Sequence, residues 1–216
     1  MSSERARRGL MLVLSSPSGV GKTSLSRRLV ADHHDLDLSI SMTTRAPRPG
    51  EHEGREYFFV SEEEFDRQIE AGAFFEWAEL HGHQRSGTPK GPVMESLAAG
   101  RDVMFDIDYQ GARAIAEAAP EDTVRIFILP PSMAEMVRRI RVRAGDSEEM
   151  IRRRLETARE EFTKWGEYDY AVVNDDFDHA YAELAHIYHA ERLKRSRNPW
   201  VALFVQDLIE QSLGSI

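Results

Sequence analysis

Ten residues, Ser15 to Ser24 (SSPSGVGKTS), follow the apolar run Leu10-Met11-Leu12-Val13-Leu14 and lead into Leu25, Leu29 and Val30 at helical spacing. That order restricts the chain more than any other feature of it. Five consecutive apolar residues are the pattern of a strand buried on both faces of a parallel sheet, and the apolar residues after the loop mark one side of a helix. Between them Gly19, Gly21, Lys22 and Thr23 match the end of G-x-x-x-x-G-K-[ST], with Ser16 where the first glycine normally stands. Glycines let successive backbone N–H groups turn inward onto phosphate oxygens, beside the positive end of the helix. Ser16, Pro17, Ser18, Gly19, Val20, Gly21, Lys22, Thr23 and Ser24 are therefore expected to hold ATP. Lys22 would reach the β and γ phosphates, and the Thr23 hydroxyl would ligate Mg2+.

The remaining chain supplies a fold for this loop. Its 216 residues suffice for one substantial core. Val103 to Ile107, Val124 to Leu129 and Ala171 to Val173 read as further buried strands, each reached after a segment long enough to cross over. The expected architecture is α/β, a parallel-sheet core with helices on both faces. Two stretches interrupt the alternation. Residues 39–100 carry the proline turn TTRAPRPGE and then REYFFVSEEEF, with Ser61 and Glu64 as a capping box; they read as an inserted mixed lobe. Residues 136–159, with seven arginines between Met136 and Arg154, read as a helical lid capped at Asp146 or Ser147. The core is then residues 1–38, 101–135 and 160–216. From Phe177 to about Arg195 a helix repeats Ala180, Leu184, Ile187, Tyr188 and Leu193. After Asn198-Pro199, WVALFVQDLI is expected to form a last helix, used in core packing or as a dimer surface.

A formal charge of −9 argues against general nucleic-acid binding. The chain has no apolar run of about eighteen residues, so no membrane span is expected, and the apolar stretch at Leu10 is too short for a signal peptide. Without cysteine there are no disulfides, and the composition fits a reducing cytoplasm. Monomer and homodimer both stay open.

VMFDIDYQG, Val103 to Gly111, ends a buried strand with Asp106 and Asp108. Alternation sends both to one face at the carboxyl end of the strand, where sheets of this kind place their ligands. One could stand near Mg2+, the other could accept hydrogen bonds from a substrate, and a purely structural role in capping the next helix is the competing reading for one of them. SMTTRAPRPGEHEGREYFF brings Arg45, Arg48 and Tyr57 close together, donors suited to a phosphate. Glu76, in FFEWAE, sits among aromatic residues, where a purine with an N1–H and an exocyclic amine would satisfy it. Guanine has that pattern, although spacing alone does not fix the base.

In order and spacing these segments, together with FILPPS, DSEEMIRRRL and YDYAVVNDDF, resemble the guanylate kinase family from about Gly9 to Arg197. The resemblance implies a three-part kinase that takes ATP, GMP and dGMP, with Mg2+. It implies that Ser41, Glu76, Thr88 and Asp108 read guanine and that Arg45, Arg48 and Tyr57 clamp the GMP phosphate. Lys22, Arg45, Arg143 and Arg154 become the catalytic cations, Asn174 lies near the ATP base, and Thr23 and Asp106 serve the metal.

One segment departs from the family. In ELHGHQRSGTPKGPV a tyrosine that usually binds phosphate is replaced by Ser86, and the loop is one residue longer. Arg85 is expected either to swing in as a substitute or to leave the phosphate one ligand short. His81 and His83 lack a third ligand and read as loop histidines, not a zinc site. Two rival readings are a guanylate-kinase-like module that binds without catalysis, and a kinase for another phosphorylated acceptor. Retention of Gly21-Lys22-Thr23 and both lid arginines weighs against the first, Glu76 and Asp108 against the second.

Overall fold

The computed structural model describes residues 6–80, 84–143 and 147–213. β1 (Met11–Ser15) is buried throughout and lies between β7 (Asp102–Asp106) and β8 (Thr123–Leu129). β2 (Leu36–Leu38) and β9 (Tyr170–Val173) close the edges, giving five parallel strands in the order β2-β7-β1-β8-β9. Alternation divides the core into two layers. Leu12 and Leu14 pack with Leu25 of α1 (Lys22–Asp32) and with Leu184 and Tyr188 of α7 (Phe177–Arg192). Met11 and Val13 meet Val93 and Leu97 of α3 (Lys90–Ala98) and Ile115 of α4 (Tyr109–Ala118) on the other side. All three anticipated strands are present. β2 is the addition: only Leu36 of Leu-Asp-Leu is buried, so its apolar signal is one residue long.

The inserted lobe carries its own sheet of β3 (Met42–Thr43), β4 (Phe58–Phe59), β5 (Phe74–Leu80) and β6 (Gln84–Pro89), ordered β4-β3-β6-β5. β5 and β6 run antiparallel, with Glu76 opposite Thr88. α2 (Glu62–Glu70) covers the lobe and is capped by Ser61, whose hydroxyl accepts from the Glu64 N–H. Only half of the expected capping box forms, because the Glu64 carboxylate turns to Arg67 and Gln68. α3 falls inside the expected lobe of residues 39–100, yet its Val93 and Leu97 belong to the core layer.

α5 (Met133–Arg143) and α6 (Glu148–Phe162) span the stretch expected to act as a lid. Ser147 caps α6, while Asp146, the alternative cap, lies outside the described residues, as do His81 and His83. Met136 and Ile140 are buried with Ile151 and Ala158 in the first core layer, so the helical pair is rooted in the core.

Two expectations for the last segment change: the helix from Phe177 is shorter, and of the two uses expected for the final helix, core packing falls away while a dimer surface stays open. α7 stops at Arg192 and Leu193 is 80% exposed, so the apolar repeat ends at Tyr188. α8 (Trp200–Leu213) does not pack into the core: Leu203, Phe204, Val205, Leu208 and Ile209 all face solvent. No helix among the described residues is long and apolar enough to cross a membrane.

Candidate active site

The loop after β1 is shaped by two glycines in the left-handed region, Gly19 at φ 85° and Gly21 at φ 103°. A side chain at either would be strained and would also collide. A Cβ at Gly21 would lie 2.4 Å from Asn174 Nδ2, and one at Gly19 would lie 2.7 Å from Ile140 Cγ1. The loop is strapped from beneath. Asn174, only 4% exposed, donates from Nδ2 to the Val20 carbonyl at 2.6 Å. Arg139 of α5 donates to the same carbonyl and to the carbonyl of Asn174, both at 3.2 Å. The Asn174 side-chain amide is thus used in holding the loop. Arg139 was missed from sequence because nothing in the arginine-rich run singles it out.

Lys22, Thr23 and Asp106 come together at the mouth of the loop. Lys22 Nζ lies 2.6 Å from Asp106 Oδ1 and donates to the Ile107 carbonyl at 3.1 Å. Thr23 Oγ1 donates to Asp106 Oδ2 at 3.3 Å. Asp108 caps α4 by accepting from the Gly111 N–H at 2.9 Å, so the helix-capping alternative holds for it even though it also lines the cleft. The phosphate cleft, about 310 Å³, is also lined by Glu161 of α6. Burial pushes the Glu161 carboxyl up from its ordinary value, with Lys22 acting against that shift. Glu161 was not anticipated, since it sits in an acidic stretch that reads as a solvated helix face.

A second cleft of about 240 Å³ adjoins the first and shares Thr23, Asp106 and Ile107 with it. Ser41 and Thr88 line it, and the Thr88 hydroxyl donates to Glu76 Oε1 at 2.5 Å. Burial pushes the Glu76 carboxyl up, the Thr88 hydrogen bond partly offsets this, and the nearby Asp108 carboxylate adds to it. The antiparallel pairing of β5 and β6 places Glu76, Thr88 and, two residues before Thr88, Ser86 on a common face.

Arg45 and Tyr57 are brought together, with the arginine 5.2 Å above the tyrosine ring. Glu51 organises this corner: it accepts from Arg45 at 2.9 Å and from the backbone N–H of Arg48 at 2.8 Å, and these bonds hold its carboxyl below the usual range, the Arg48 N–H foremost. The Arg48 side chain is exposed. Arg85 does not join them. It stands on the opposite face of β6, its Nε 2.9 Å from Glu62, with Asp66 as second partner and the Phe65 ring 4.9 Å beneath it. Strand alternation explains the outcome, since a residue between Ser86 and Gln84 must point away from the cleft. Arg154 is half-buried on α6, seven residues before Glu161 and so on the same helical face. The Arg143 side chain lies outside the described residues.

A phosphate loop on a parallel sheet, with an acceptor lobe inserted between β2 and β7 and a helical pair over the cleft, defines a nucleoside monophosphate kinase. The guanylate kinase family model matches residues 8–191. A guanylate kinase of Caulobacter vibrioides is 56% identical over 98% of this chain and 99% of its own length; one of Maricaulis maris is 56% identical over 95% and 94%. The crystal structure of guanylate kinase from Anaplasma phagocytophilum aligns with a TM-score of 0.67 at 35% identity, covering 89% of this chain and 91% of its own. The chain belongs to the guanylate kinase family, the ATP:GMP phosphotransferases.

Proposed function

We propose that the chain moves the γ-phosphoryl group of ATP onto the phosphate of GMP, and of dGMP, across the boundary between the two clefts. The observation that carries this is their shared wall. Thr23, Asp106 and Ile107 line both, so a nucleotide on the loop and an acceptor beside Thr88 meet at Lys22. An acceptor phosphate oxygen attacks the γ phosphorus in line as the bond to the β-phosphate oxygen breaks, leaving ADP and GDP. The acceptor phosphate is already ionised near neutral pH, so no general base is required.

Lys22 exchanges Asp106 for phosphate oxygens and, with Arg45, Arg143 and Arg154, neutralises charge spread over the transferring group. Arg45, Arg48 and Tyr57 hold the acceptor phosphate, while Ser41, Glu76, Thr88 and Asp108 hold the base. Thr23 Oγ1 and the Asp106 carboxylate are hard oxygen donors that suit Mg2+, which needs only one or two protein ligands beside phosphates and water. When bound with ATP, Mg2+ supplies charge neutralisation at the β and γ phosphates. Closure of α5 and α6 keeps water from the phosphoryl group.

The test is ADP formation by the purified protein with ATP and Mg2+, in parallel with GMP, dGMP, AMP, CMP, UMP or water. Turnover selective for GMP and dGMP is expected. Folded protein that binds ATP but forms no ADP with GMP refutes the assignment.

A further inference from the structure

α4 starts two residues past Ile107, which both clefts share. Its cap, Asp108, lines the phosphate cleft and accepts from the Gly111 N–H at 2.9 Å. Gly111 in turn packs on the acceptor lobe. A Cβ at that position would lie 3.6 Å from Glu76 Cγ, ordinary contact distance for the stem of the carboxylate proposed above to hold the acceptor base. Between these two residues Tyr109 reaches α6. Its hydroxyl donates to Glu160 Oε1 at 3.0 Å and accepts from Gln110 Nε2 at 3.3 Å, so the one phenolic proton is committed to the glutamate. Lys164 Nζ stands 5.9 Å from the Tyr109 ring. One turn further along α4, Arg113 donates to both oxygens of Glu167, at 3.1 and 2.7 Å, in the short 3-10 turn Trp165–Glu167 that follows α6. The residue after Glu160 is Glu161, which lines the phosphate cleft.

We infer that Tyr109 is a positioning residue: through its hydroxyl bond to Glu160, the first turn of α4 carries the state of the acceptor site at Glu76 to the end of α6 at the phosphate cleft, so that each nucleotide tightens the other. The Asp108 cap ties this turn together, so a base seated on Glu76 bears on Gly111 and turns Tyr109 with it. Glu160 follows, and Glu161 with it. A coupling between two sites is reciprocal. The tyrosine therefore matters to ATP binding in the presence of GMP, and to GMP binding in the presence of ATP, by the same factor. It does not matter to either nucleotide alone, which is where a merely structural tie between α4 and α6 would differ. This assignment rests on the GMP kinase reading above, and the experiment separates the two.

The measurement is equilibrium binding by titration calorimetry, using the β,γ-imido analogue of ATP with Mg2+ so that no phosphoryl group transfers. The Kd of the analogue is taken without and with saturating GMP, and that of GMP without and with the analogue, for the wild type, Tyr109→Phe, Glu160→Ala and Glu160→Gln. In the wild type each nucleotide is expected to tighten the other by one common factor. Tyr109→Phe and Glu160→Ala should bring that factor toward unity by roughly 2- to 13-fold, the range for one hydrogen bond, with the Kd of either nucleotide alone held within about twofold. Glu160→Gln keeps an acceptor oxygen for the phenol and should retain most of the coupling. The double variant Tyr109→Phe/Glu160→Ala should lose no more than either single one, since both remove the same bond. An unchanged factor in Tyr109→Phe, whatever its Tm, overturns the inference; so do losses of equal size for each nucleotide alone, additive losses in the double variant, or a Glu160→Gln as deficient as Glu160→Ala. A wild type that binds both nucleotides independently overturns it too and leaves the kinase intact. A folded wild type that binds neither refutes the proposed function instead.

Discussion

Replacing Glu76 by Gln tests the base site where it is most demanding. Thr88 sits opposite Glu76 across the β5–β6 ladder and takes part of Oε1, which leaves the other oxygen and the remaining lone pairs for the N1–H and the 2-amino group of guanine. Hydrogen bonds to a charged group contribute about 1.5–3 kcal/mol each, neutral ones about 0.5–1.5. Gln turns one of the two acceptors into a donor, losing one charge-assisted bond and weakening the other. The net loss is about 2–4 kcal/mol, which converts to roughly 30- to 900-fold in kcat/KM for GMP. Its remaining donor and acceptor fit adenine N1 and N6, so the preference for GMP over AMP should fall by more than kcat/KM for AMP does. Burial and Asp108 raise the Glu76 carboxyl, so its protonated form is populated above the ordinary glutamate range. Guanine requires the ionised form. Affinity is therefore level above the raised pKa and drops about tenfold per pH unit below it. Competitive inhibition by guanosine, which carries no titrating phosphate, isolates this effect, and Glu76→Gln should abolish its pH dependence. A loss under threefold, or equal losses for GMP and AMP, would refute the reasoning.

Ser86→Tyr restores a phenol on the cleft face of β6; the KM for GMP should fall roughly tenfold, near the lower end for one hydrogen bond to a charged group. Arg85→Ala, by contrast, should leave the KM for GMP unchanged and lower Tm, because Arg85 serves α2 through Glu62 and Asp66. Asn174→Ala removes the buried strap on the Val20 carbonyl. It should cost about 1–2 kcal/mol of stability, roughly 2–8 °C in Tm, and raise the KM for ATP more than that for GMP. Gly21→Ala meets both an unfavourable φ and the Asn174 amide; nucleotide-loop binding should be lost in an equilibrium ATP titration.

The donor half of the site was legible because its signal is local. Strand, glycines, lysine and helix follow one another in the chain, and the left-handed turns at Gly19 and Gly21 lie where the spacing puts them. Residues whose roles depend on distant partners were harder to read. Asn174 and Arg139 act through Val20, more than a hundred residues away in sequence for each, and no spacing rule connects them. The direction of Arg85 stays open in the sequence because it depends on the register of β6 against β5, set by tertiary pairing. β2 was missed because an edge strand with one buried residue carries almost no periodic signal. The last helix shows the reverse failure: its apolar run was plain, yet composition cannot say what such a face touches.

The resting site explains how an acidic chain accepts two polyanions. Lys22 is held by Asp106 at 2.6 Å and Arg45 by Glu51 at 2.9 Å, so each of these two cations, proposed above as phosphate ligands, already has an anion. Half-buried cations left unpaired would be costly. The resident carboxylates remove that cost before any nucleotide arrives, and they differ in what happens afterwards. Glu51 also grips the Arg48 backbone, so it can keep one edge of the Arg45 guanidinium while the other edges turn to phosphate. Lysine has no such fixed fork. In the proposed reaction Lys22 moves to phosphate and releases Asp106, which stays at the shared wall of both clefts beside the Thr23 hydroxyl. On the proposed function the arginine therefore binds phosphate by sharing its partner, whereas the lysine binds by exchanging it, and only the exchange leaves a carboxylate available at the point where donor and acceptor meet.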